Sequence, residues 1–144
     1  MGLSEFVLDP KNMPGVVAAS CQMIDEEVSS KSGLSGFAVK AGYKAVKGVK
    51  PNFVRHVVIQ LLPEFVKALD PIWNEGVAAG KPGAHLVANK GRAADAMLEV
   101  TDGKAQHAKS ALVRGTYDKL RGSAKRNVED AIPRLASMLE KHVK

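Results

Sequence analysis

The chain has 144 residues, 45% hydrophobic and 25% charged, proportions that exclude a disordered polymer and suit one soluble domain over residues 1–144. A chain of this length buries about two-thirds of its unfolded surface, so it needs no metal or disulfide staple, and Cys21 is its single cysteine. The formal net charge of +6 is unevenly spread: residues 31–60 carry six bases and no acid, and residues 104–144 carry ten bases against four acids, a clustering that favours an anionic partner.

Alanine, leucine, lysine and valine recur at three- and four-residue spacing and strand-like alternation never persists, so the expected fold is all-α. Asn12 is placed to cap a first helix that accepts Pro14 in its first turn and gathers Val17, Cys21, Ile24 and Val28 on one face. Gly33 and Gly36 then bracket a tight connection, with Ser35 as the next cap and a second helix from about Gly36 to Val49, stopped by Lys50 and Pro51. Asn52 to Leu69 reads as a long helix broken or kinked at Pro63. Asp70 and Pro71 form a cap and first-position pair for a short helix that carries Trp73 and ends before the turn from Gly80 to Gly83.

Leu86, Ala93, Met97 and Val100 mark another helix, and Thr101, Asp102 and Gly103 a break after it. Two further helices follow, from about Lys104 to Arg121 and from about Ser123 to Val143, the last with Pro133 inside it. Its stripe of Val128, Ala131, Ile132, Leu135, Met138, Leu139 and His142 fits either its own core or an isologous contact between copies, so a homo-oligomer stays open. The expectation is a compact multi-helix bundle of six to eight helices.

VKAGYKAVKG at 39–48 matches VRGTYDKLRG at 113–122, with valine, tyrosine and glycine identical at the first, fifth and tenth positions. Each copy is followed by a helix with an internal proline, Pro63 or Pro133, which predicts an internal pseudo-twofold repeat of a helix plus a proline-kinked helix. The alternative is a chance agreement between two lysine-rich amphipathic helices.

In the first copy Lys40, Lys44 and Lys47 share the polar face with Tyr43; in the second Tyr117 stands between Arg114 and Arg121. A phenol flanked by two cations suits a phosphate or carboxylate, which makes Lys40, Tyr43, Lys44, Lys47, Arg114, Tyr117 and Arg121 the candidate anion-binding residues. The plain alternative is a surface aromatic lying beside long basic side chains.

No catalytic or metal site is expected, and no cofactor. His56, His85, His107 and His142 stand at no metal-site spacing, and Asp25, Glu26 and Glu27 are adjacent, which suggests a solvated helix end. Cys21 on an apolar face is expected to be core, not nucleophile, and GKPG at 80–83 lacks the pattern of a phosphate loop. The opening MGLSEFVLDP lacks the features of a signal peptide, and no apolar run approaches membrane-spanning length, so the expectation is a cytoplasmic protein without a transmembrane segment. The leading function is a non-enzymatic module whose basic helices engage nucleic acid, an acidic protein or a phospholipid surface. The alternatives are a bundle enclosing an apolar small molecule near Trp73, Phe53, Phe65 and Met97, or an oligomeric scaffold.

The runs KSGLSGFAVKAGYKAVKG, LLPEFVKALDPIW, ANKGRAADAMLEVTDGKA and YDKLRGSAKRNVEDAIPRLASMLEKHV resemble a family of uncharacterised bacterial proteins, common in actinobacteria and classed as a domain of unknown function. The resemblance covers nearly the whole chain and implies a small, self-standing cytoplasmic bacterial protein. No activity, ligand or site residue comes with it.

Overall fold

The structure is a computed structural model that describes residues 2–31, 33–48 and 52–143, without the side chains of Leu34, Ser35 and Val46. Among the described residues there are seven helices and no strand: α1 (Leu3–Val7), α2 (Met13–Ser30), α3 (Gly33–Lys47), α4 (Phe53–Ala78), α5 (Pro82–Ala88), α6 (Lys90–Gln106) and α7 (Ala111–His142). The stop at Lys50 and Pro51 and the capping side chain of Ser35 lie outside the described residues.

The core is laid down by one stripe of α4. Leu62, Val66, Leu69, Ile72 and Trp73 are buried at helical spacing and meet Leu3 and Val7 of α1, Val16 and Val17 of α2, Leu86 of α5, Ala93 of α6, and Ile132, Leu135 and Leu139 of α7. Trp73 is fully buried there. The apolar stripe of the last helix is likewise spent inside its own core, with Ile132, Leu135, Ala136, Met138 and Leu139 buried.

Four expected breaks are absent. α4 runs unbroken through Pro63 and Pro71; its buried stripe on both sides of each ring holds one axis against the loss of two backbone donors, a case of packing overriding local propensity. Asp70 does not cap a new helix. It reaches α1 instead, where one carboxylate oxygen accepts from the Ser4 amide at 2.8 Å and the other from the Ser4 hydroxyl, so an orphan donor of a five-residue helix is satisfied by a side chain sixty-six positions away in the sequence. Thr101, Asp102 and Gly103 lie within α6, and the helix ends only at Gln106. Beyond it Ser110 is the true cap, its hydroxyl accepting from the Val113 amide at 3.3 Å. α7 then continues through Gly122 without interruption for 32 residues.

That continuity alters the expected repeat. The first tyrosine-bearing helix, α3, ends at Lys47, and its proline-bearing partner α4 begins at Phe53 after Asn52, which takes a left-handed backbone (φ 59°); the second tyrosine segment and its proline belong to the single helix α7. The two copies therefore connect differently to their proline-bearing helices. The tyrosine helices themselves pack together and run antiparallel. Lys31, entering α3, reaches the Asn127 carbonyl at 3.4 Å, while at Gly42 an added Cβ would stand 3.0 Å from side-chain carbons of Thr116 and Leu120.

Burial divides the molecule. Among the described residues of α3 only Gly36 is buried, and none is buried in the first 21 residues of α7, from Ala111 to Ala131. Phe37 is 74% exposed and Leu112 50%. The well-packed end is built from α1, the first half of α2, α4, α5, α6 and the end of α7. The basic tyrosine helices lie at the loosely packed end.

Candidate functional site

Each tyrosine meets a carboxylate from the helix before it. In the first copy the Tyr43 hydroxyl donates to Asp25 of α2, Lys47 Nζ lies 4.0 Å from the same carboxylate, and it stands 5.1 Å from the Tyr43 ring centroid, a cation–π distance. In the second copy the Tyr117 hydroxyl donates to Asp102 of α6. Arg121 grips that carboxylate with two parallel bonds, Nε to Oδ1 at 2.8 Å and Nη2 to Oδ2 at 3.0 Å, the geometry that makes guanidinium–carboxylate pairs strong. Thr101 Oγ1 completes the second cluster at 2.8 Å from the Tyr117 hydroxyl.

The arrangement recurs with its chemistry intact: carboxylate on the preceding helix, tyrosine, and a cation four residues after the tyrosine. Spacing of four puts tyrosine and cation on one helix face, so one carboxylate serves both. Burial and the bond to Asp25 push the Tyr43 phenol well above the usual range. Burial and Asp102 do the same to Tyr117, while Arg121 and then the Tyr117 hydroxyl hold the Asp102 carboxyl below the usual carboxylate range. Both phenols stay protonated and act as donors.

The seven candidate anion-binding residues therefore divide. Tyr43, Lys47, Tyr117 and Arg121 face a carboxylate of the chain itself. Arg114, expected beside Tyr117, donates to the Ala108 carbonyl beyond the end of α6, where a cation complements exposed carbonyls. Lys40 and Lys44 are exposed with neither an ion pair nor a side-chain hydrogen bond among the described residues. Asp25 and Asp102 are the residues that sequence reasoning missed. The usable signal is that a half-buried phenol needs a partner, and that in each copy an aspartate lies one helix earlier.

Asp25, Glu26 and Glu27 are not a uniformly solvated end. Asp25 serves Tyr43, and Glu27, with its side chain only 13% exposed, pairs with Lys31 at 2.7 Å and Arg134 at 3.0 Å, tying α2 to the middle of α7. Cys21 is half-buried and burial raises its thiol, the opposite of nucleophile activation. Among the described residues no group of three or more His, Cys, Asp or Glu side chains converges as a metal site would require, and no helix is long and apolar enough to cross a membrane.

A groove of about 650 Å³ opens between the start of α4, the end of α6 and the start of α7. Phe53, Val57 and Leu61 supply one wall, Ala105, Ala108 and Val113 the other. Of the aromatic and methionine side chains expected around an enclosed ligand only Phe53 lines it. Trp73 is in the core, Met97 packs against that core, and the space is an open groove, not an enclosed chamber.

A seven-helix bundle with paired tyrosine–aspartate–cation clusters and an open groove defines a class of small helical protein by architecture and not by chemistry. The chain matches the family of unknown function DUF6918 over residues 3–143, and it belongs to that family. No curated protein matches it, and no solved structure does.

Proposed function

We propose that the protein is a non-enzymatic interaction module whose basic surface, centred on α3, engages an anionic partner. The observation that carries this reading is the state of Lys40 and Lys44: both are exposed, one helical turn apart, and without an ion pair among the described residues, in a segment of the sequence that holds six bases and no acid. Lys47 extends the stripe by a further turn. Of the three, Lys47 is shared with Asp25, and the two uncompensated ammonium groups of Lys40 and Lys44 on one helix face attract phosphate or carboxylate partners and raise association rates. The tyrosine–aspartate–cation clusters have a different part in this reading: they fasten the basic helices to α2 and α6 and so hold the stripe outward.

The recurrence of those clusters, together with the antiparallel approach of the two tyrosine helices, supports an internal duplication limited to the tyrosine helix and the helix before it. The single cysteine and the family resemblance support a cytoplasmic bacterial protein.

The test is a titration of duplex DNA, RNA and anionic vesicles at low and moderate salt, with wild type and with the pair Lys40→Glu and Lys44→Glu. Binding at low salt that falls steeply as salt is raised, and that the double variant loses, is the expected result. Unchanged binding by the double variant removes α3 as the contact surface. Failure of all three ligands at low salt leaves only an acidic protein.

A further inference from the structure

We propose that the groove between α4, α6 and α7 is a binding site for a single-chain amphiphile with an anionic head group. Phe53, Val57 and Leu61 recur at i, i+4 and i+8 along α4 and form an apolar line flanked by His56 and Gln60. The buried stripe from Leu62 to Trp73 lies on the other side of the helix, so this line is one that the core does not use. Here the opposing wall carries Ala105 and Ala108, side chains too short to close the space, and a volume of about 650 Å³ remains, within the range of sites that bind small molecules.

The charge of the lining selects the occupant. No Asp or Glu lines the groove, whereas Lys104, Lys109, His56 and His107 all do. The two carboxylates closest in the chain's own bonding pattern are spent: Glu64 pairs with Lys104 at 2.8 Å and Asp102 with Arg121. Lys109, exposed at the groove mouth in the link between α6 and α7, has no ion pair among the described residues. An apolar trough with an uncompensated cation at its edge fits an acyl chain ending in a carboxylate, sulfate or phosphate; a cationic head group gains no partner from Lys109, and the nearby Glu64 is already paired with Lys104. The site shares no residue with Lys40 and Lys44 and does not rest on the proposed basic surface of α3, so either reading fails without the other.

The probe is dodecanoate, compared with dodecyltrimethylammonium and with a soluble acidic amphipathic peptide, each displacing anilinonaphthalene sulfonate from the full chain below its aggregation concentration. The expected result is displacement by dodecanoate at one site per chain, at least about tenfold tighter than by the cationic amphiphile. Lys109→Glu, at an exposed position that does not threaten folding, is expected to weaken dodecanoate at least about tenfold, while Lys81→Glu, far from the groove, leaves it unchanged. Val113→Glu places a carboxylate in the trough and is expected to abolish binding, with circular dichroism confirming the helical fold. Equal affinity for the two amphiphiles, binding indifferent to Lys109→Glu, no dodecanoate binding by the wild type, or displacement by the peptide alone each overturns the proposal.

Discussion

Gly76 sits where α4 and α5 come closest: a Cβ there would lie 2.6 Å from the Pro82 backbone and 2.9 Å from His85 Cβ. Because the nearest atom is main chain, it cannot swing aside, and Gly76→Ala is expected to destabilise by about 1–3 kcal/mol despite the better helix propensity of alanine. Thermal or denaturant unfolding measures it. Next to it, Glu75 receives two bonds from Arg92 and one from His85. Arg92 first and His85 second lower its carboxyl from the ordinary 4.5 to about 2. A carboxyl depressed in the folded state contributes its stability fully above about pH 4.5 and loses it as pH falls toward 2. Glu75→Gln is therefore expected to flatten the fall of Tm across that window, and the contrast should shrink in high salt because the cluster is exposed. The Tyr117 phenol offers a third measurement. With Tyr43→Phe as background, Asp102→Asn removes the acceptor that helps raise it, and the phenol is expected to titrate closer to its ordinary 10.0 by ultraviolet absorbance.

Among the elements, α4 and α7 are longer than their sequences suggest. Proline is a local signal, whereas the buried stripe of α4 acts along the helix on both sides of its prolines; α7 crosses Gly122 with no buried residue between Ala111 and Ala131, because one glycine costs a helix only about 1 kcal/mol. Gly122 of α7 shows the balance: nothing lies within 4 Å of a Cβ built there, so the glycine lowers helix propensity without serving packing. Gly122→Ala is expected to stabilise by about 0.5–1 kcal/mol, seen as a higher Tm. A drop in stability would mean that α7 bends at this residue to hold α3. The existence of α2 and α3, the buried face of the end of α7, and the outer limits of α4 at Asn52 and before Gly80 were legible from periodicity and turn residues. The passage of α4 through its prolines and the end of α6 were not, because packing against other elements decides them. Asp70 caps α1, and Arg114 caps the chain leaving α6.

At the scale of the molecule, unequal burial predicts unequal motion. Amides of residues 62–76 and 132–139 sit in the core, whereas α3 and residues 111–127 lean on their aspartate clusters and on each other. Hydrogen exchange is expected to show protection in the first group set by global unfolding and protection in the second lower by orders of magnitude. Uniform protection would show that the tyrosine clusters lock the basic end as firmly as the core locks the other.

What the sequence determined by itself was the helical class, the number of helices within a narrow range, the apolar stripe of the terminal helix, and the likeness of two tyrosine-bearing basic segments. These follow from period and composition, which act between neighbours along one helix. Tertiary structure alone decided that α4 passes through two prolines and that α7 joins what looked like two helices. It also turned half of the apparent anion site inward onto Asp25 and Asp102, and left a groove beside Lys109. Those outcomes depend on which side chains from distant positions arrive at one place, and on whether a phenol or cation meets a carboxylate of its own chain before it meets one from outside. No spacing within a single segment encodes that arrival.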